Sequence, residues 1–148
     1  MRLKVVILLL IGIACGAAGH YFWSVMPSRA VSRSLAAEVR RGPGTVVDLA
    51  QVAPFAWDRV FVFTPYTPKA QIELCLGFPW DGAKRSNIES SKGNNLVVFV
   101  LDGAVVCWFD HSRADGELGD LADPKGYTRA EAKFAVSLDG GQRLVLSK

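Results

Sequence analysis

Residues 96–110 read Leu96-Val97-Val98-Phe99-Val100-Leu101-Asp102-Gly103-Ala104-Val105-Val106-Cys107-Trp108-Phe109-Asp110, and the fold turns on them. Two runs of β-branched, aliphatic and aromatic residues flank Asp102-Gly103. That pair tolerates the positive φ angles of a two-residue hairpin turn, whose twist suits right-handed strands. The stretch predicts two antiparallel strands over 96–101 and 104–110. A second hairpin is expected over 133–138 and 143–146, around Asp139-Gly140-Gly141.

Upstream, residues 57–63 (WDRVFVF) predict a further strand. Trp57, Arg59, Phe61 and Phe63 share one side, while Asp58, Val60 and Val62 share the other. Because both sides are largely apolar, this strand is expected inside a sheet rather than at its edge. Residues 45–49 read as a shorter strand. A helix should follow Thr67-Pro68, with Thr67 as N-cap and Pro68 in the first turn, where its missing N–H is harmless. Ala70, Ile72, Leu74, Cys75 and Leu76 supply its apolar face, and Gly77 its left-handed end. Residues 86–95 and 112–127 are polar and turn-rich, so they read as surface loops.

The N-terminal part has another character. Arg2 and Lys4 precede Val5 to Met26, 22 residues without formal charge if His20 is neutral. As a helix they rise about 33 Å, enough to cross a hydrocarbon core. His20, Tyr21, Phe22 and Trp23 fall at the far end, where amphipathic rings meet headgroups. The reading taken is a retained signal anchor. Cleavage near the small residues 16–19, or lipidation at Cys15, are the other fates of such a segment. Four arginines follow the span and two basic residues precede it, which favours a cytosolic domain. A short basic N-terminus before an apolar run is nonetheless how export signals look, and an extracytoplasmic domain is the expectation.

Ser28 to Arg41 reads as an amphipathic helix with Ser28 as N-cap and Val31, Leu35 and Val39 on one stripe. Arg40 and Arg41 suit its negative end, and Gly42-Pro43 ends it. Its arginines could rest on anionic headgroups, or the helix could dock on the domain. The division expected is therefore an anchor or signal segment over 1–27, an amphipathic linker helix over 28–43 and a globular domain over 44–148. The fold class is α+β: a mostly antiparallel sheet with one short packed helix, preceded by the transmembrane helix and the linker helix.

Charge follows the same division. Through Arg41 there are six basic residues against one acid, and beyond it eleven against thirteen. The domain thus offers no cationic excess to a phosphate backbone, and nucleic acid is not an expected partner. Phe55 to Pro68 (FAWDRVFVFTPYTP), a short helix and then LVVFVLDGAVV together resemble small bacterial envelope proteins. Those proteins are N-terminally anchored or lipoprotein-like and have no assigned function. The resemblance implies location and fold, and no reaction. The residues before Cys15 depart from a lipoprotein signal at Gly12, where leucine is usual.

Candidate chemistry is sparse. Asp110-His111-Ser112 contains triad residue types, but neighbours on a strand point to opposite faces and cannot bond in series. Cys75 and Cys107 are a candidate disulfide or two unpaired core thiols. Asp115, Glu117, Asp120 and Asp123 lack the ligand density of a calcium loop. Trp57, Asp58, Tyr66 and Trp80 form a candidate partner-binding set, whose aromatics would otherwise serve the core. No catalytic, cofactor or metal residues are assigned. The expected function is a membrane-anchored, extracytoplasmic, non-enzymatic domain binding an envelope protein or peptide. The alternative is a hydrolase-like enzyme using Asp58, Asp110 or His111. A cleft where two of those groups converge would favour the enzyme, and an unpaired sheet edge the binder.

Overall fold

The computed structural model describes residues 28–141 and 143–148. The expected membrane span and the lipidation candidate Cys15 lie outside the described residues. Among the described residues, no helix is long and apolar enough to cross a membrane.

The chain is helical through residues 28–39 (α1). Then come β1 (Val46–Asp48), α2 (Leu49–Val52), β2 (Arg59–Phe63) and α3 (Lys69–Leu76). The hairpin strands β3 (Asn94–Leu101) and β4 (Ala104–Ser112) follow, then β5 (Tyr127–Thr128), β6 (Lys133–Leu138) and β7 (Leu144–Ser147). The class is α+β, but with two antiparallel sheets rather than one. One has the order β1-β6-β7 and the other β4-β3-β2-β5. The second hairpin does not extend the first sheet because β6 takes β1 as its outer partner.

The expected hairpin forms at the expected turn, with Asp102 at φ 50° and Gly103 at φ 74°. From Leu96 to Val100 strand β3 is apolar on both faces, and each face is covered. Val60, Val62, Val97, Phe99, Cys107 and Phe109 point into a core shared with α1, α2 and the three-stranded sheet. Phe61, Phe63, Leu96, Val98 and Val100 point into a second core, closed by Ile72 and Leu76 of α3 and by Ala83 and Ile88. Phe99 is fully buried, with Trp57 and Phe55 edge-on at 5.2 and 5.6 Å.

Three local expectations are corrected. Helix α3 begins after Pro68 rather than Thr67, whose hydroxyl donates to the Thr64 carbonyl instead. Leu74 is 81% exposed, so Ile72 and Leu76, with half-buried Cys75 beside them, anchor the inner face; Gly77 ends the helix at φ 81° as expected. Residues 112–127 are not merely a surface loop. Leu118 and Leu121 are both 1% exposed, and Glu117 exchanges backbone hydrogen bonds with Leu144 and Leu146 of the β7 edge.

The largest correction concerns α1. Val31, Leu35 and Val39 are 3%, 1% and 0% exposed, within the first core. Residues 28–43 are therefore part of the folded unit, not a linker before a domain starting at Gly44. Burying each of these side chains contributes about 1.5–3 kcal/mol, and a domain's net stability is only about 5–15 kcal/mol. A chain starting at Gly44 is predicted to lose fixed packing, seen as collapsed near-ultraviolet circular dichroism and strong binding of a hydrophobic dye. A chain starting at Ser28 keeps both signals native. Within the full chain, Leu35→Ala is expected to cost about 2–5 kcal/mol in denaturant unfolding.

Candidate functional site

Strand β4 is the outer strand of its sheet and, among the described residues, pairs only with β3. It is nine residues long. The Arg113 N–H bonds the Gly93 carbonyl, and that pairing continues as hydrogen-bonded pairs at Asn95/His111, Val97/Phe109 and Phe99/Cys107. Alternation then turns the backbone N–H and C=O groups of Trp108 and Asp110 outward. Past Cys107 the register shifts, leaving Val106 as a bulged, 37% exposed residue. A long edge of this kind is a template for another strand.

Helix α1 lies along this edge. Its Ser28 hydroxyl is 3.5 Å from the Cys107 sulfur, and its other end ties to the chain beyond β4 through the Arg40–Asp115 ion pair. Between helix and strand runs a cleft of about 460 Å³, lined by Ser28, Arg29, Ser32, Arg33, Phe109 and Asp110. Arg29 and Arg33 are exposed, one helical turn apart, and form no ion pair among the described residues. Arg33 Nε donates to the Arg29 carbonyl at 3.2 Å, fixing the base of its side chain. Across the sheet, the Arg85 guanidinium stands 5.9 Å above the Trp108 ring, which meets Trp80 edge-on.

The residues expected to bind a partner are not brought together. Trp57 is 3% exposed in the first core, its indole N–H donating to the Ala53 carbonyl, and so lines no groove. Trp80 packs on the second core, behind the four-stranded sheet from Trp57. Tyr66 is exposed at φ 65°. Asp58 accepts the Asp102 N–H at 2.9 Å and braces the hairpin turn. Cys75 and Cys107 are free thiols on opposite faces of the sheet, so the candidate disulfide does not form. Burial pushes both thiols up, away from the reactive thiolate.

Nor do the hydrolase candidates converge. Asp110 stands opposite Leu96, while Asp58 adjoins the turn after Leu101. Five strand residues, about 17 Å, separate the two positions. Asp110 instead accepts the Ser86 hydroxyl at 2.6 Å, tying the segment after α3 to β4. His111 points to the opposite face, 1% exposed and directly across from Asn95, which is 0% exposed. His111 Nε2 and both amide atoms of Asn95 lack a hydrogen-bond partner among the described residues. Three of the four loop carboxylates are held in ion pairs: Asp115 with Arg40, Glu117 with Arg113, and Asp123 with Lys148. Among the described residues, no group of three His, Cys, Asp or Glu side chains is placed to hold a metal ion.

The edge position of β4 and its arginine-lined flank were missed in the sequence. The available signal was asymmetry between the hairpin strands: residues 96–101 are wholly apolar, whereas Asp110, His111 and Ser112 punctuate β4.

Burial lowers the His111 pKa from 6.5; Asp115, the Gly116 carbonyl and Glu117 oppose this, and Arg40 reinforces it. The folded state thus prefers neutral imidazole, while the unfolded chain takes up a proton near the ordinary value. Stability from this site is fully present above pH 6.5 and falls as pH drops below it, by up to about 1.4 kcal/mol per pH unit. Urea unfolding of the wild type and His111→Gln at about pH 7.5 and 5.5 is expected to show the smaller acid loss in the variant. Equal losses would mean that His111 is not what titrates.

Compared with family models, curated proteins and solved structures, the chain matches none.

Proposed function

We propose that the chain is a membrane-anchored, non-enzymatic domain, held outside the cytoplasm, which binds an envelope protein or peptide along β4. The observation that carries this reading is the nine-residue edge with its outward backbone groups, set beside the cleft of α1. An added strand gains backbone hydrogen bonds there, while side-chain pockets select its sequence. The separation of Asp58, Asp110 and His111 supports the binder over the hydrolase.

Anchoring rests on the apolar run from Val5 to Met26, which ends just before α1. Ser28, which touches Cys107 at the near end of the β4 edge, follows that run by two residues in sequence. A tethered domain would then present its edge close to the bilayer surface, where the local concentration of other envelope components is high.

Two measurements test this reading. An alkaline phosphatase fused after Lys148 is expected to be active, as it is only outside the cytoplasm; an inactive fusion puts the domain on the other side. A photo-crosslinking residue at Val106 in the full chain is expected to trap a discrete partner in cells, while one at exposed Leu74 on α3 traps none. Equal labelling at the two positions would remove the edge from consideration. Hydrolytic activity abolished by Asp58→Asn or Asp110→Asn would establish the enzyme instead.

A further inference from the structure

We infer that the β4 edge takes an extended segment with acidic side chains at alternate positions, read by Arg29 and Arg33. The inference rests on the edge-binding reading above and names the chemistry of its occupant. A strand added to β4 points every second side chain toward α1 and the others toward Trp108 and Arg85. Along α1, Arg29 and Arg33 are four residues apart, about 6 Å of helix rise. Along an extended strand, positions two residues apart are separated by about 6.6 Å. Because α1 runs from Cys107 toward Asp115 beside β4, the two spacings lie side by side. Carboxylates at positions i and i+2 of the added strand therefore meet Arg29 and Arg33 one to one. The residue between them faces the Trp108 ring and its overlying Arg85.

Charge argues against the other occupants. Two copies joined through β4 would bring Arg29, Arg33 and Arg85 of each toward the other, with only Asp110 in each cleft to offset them, a net like-charge arrangement that costs affinity. The chain's own residues 1–27 carry Arg2 and Lys4 and no acid, so they cannot supply the carboxylates. The fit is to a separate acidic segment.

The test uses the full chain in non-ionic detergent micelles and fluorescent nine-residue peptides, matched to the length of β4. One peptide alternates glutamate with valine and a second alternates glutamine with valine. A third is the glutamate peptide N-methylated on the edge that would face β4. Fluorescence anisotropy is expected to show the glutamate peptide binding about tenfold tighter than the glutamine one, with the difference shrinking as salt rises. The double variant Arg29→Gln, Arg33→Gln is expected to bind both peptides alike, with an unchanged circular dichroism spectrum. The N-methylated peptide is expected not to bind. Equal affinity for glutamate and glutamine peptides, with N-methylation still blocking, would overturn the acidic occupant and leave the edge in place. Undiminished binding of the N-methylated peptide, or no binding of any, would overturn the edge as well. Dimerisation of the full chain that the peptides compete away would replace the acidic segment with a second copy.

Discussion

Strand β3 is buried on both faces, and the rest of the molecule follows from that demand. Leu96, Val97, Val98 and Phe99 are each at most 1% exposed, so neither side of the strand meets water. A two-layer arrangement of one sheet and one helix would leave one of those faces wet. The chain resolves this with a layer on each side: α3 and the turns after it on one, α1 with the three-stranded sheet on the other. The second sheet is less a separate module than a cover for Phe99 and its neighbours. The apolar stripe of α1 covers the same face beside β1, β6 and β7.

Much of this was legible in short-range chemistry. Asp102-Gly103 marked the β3–β4 turn because few residue pairs adopt two successive positive φ angles. Gly77 marked the end of α3 for the same reason, and Val31, Leu35 and Val39 marked the buried stripe of α1. What local pattern could not supply was spatial order. Residues 133–138 and 143–146 read as a hairpin in either arrangement, and only the pairing of β6 with β1 separates one sheet from two. Trp57 looked as well suited to a groove as to a core, because an indole with an N–H to satisfy serves both. The buried Ala53 carbonyl decides the matter. Whether a strand lies at an edge is likewise a property of its neighbours, so β4 gave little warning of its exposure.

The polar residues that first suggest chemistry turn out to be fasteners. Asp58 holds the hairpin turn, Asp110 holds the segment after α3, and Asp139 accepts the N–H groups of Gly141 and Arg143 in the last turn. Each replaces a water with a fixed acceptor for a backbone or hydroxyl donor at a point where the chain reverses. The carboxylates are therefore dispersed to the ends of strands, which is where turns need them. Arg29, Arg33 and Arg85 differ in having no carboxylate partner among the described residues, and they flank the strand whose outer backbone groups have no strand partner among those residues.

The contact between Ser28 and Cys107 has a mechanical side. If the chain before Ser28 is held in a bilayer, any pull on the domain enters through the first turn of α1 and works against Val31 before it reaches a strand. Load of this kind peels the helix from its end instead of shearing the sheet, and peeling proceeds at low force. The arginines sit on the turns that would lift first. Tension between membrane and domain would thus loosen the grip of the groove while the sheets stayed intact, giving the tether a release that depends on how hard it is drawn.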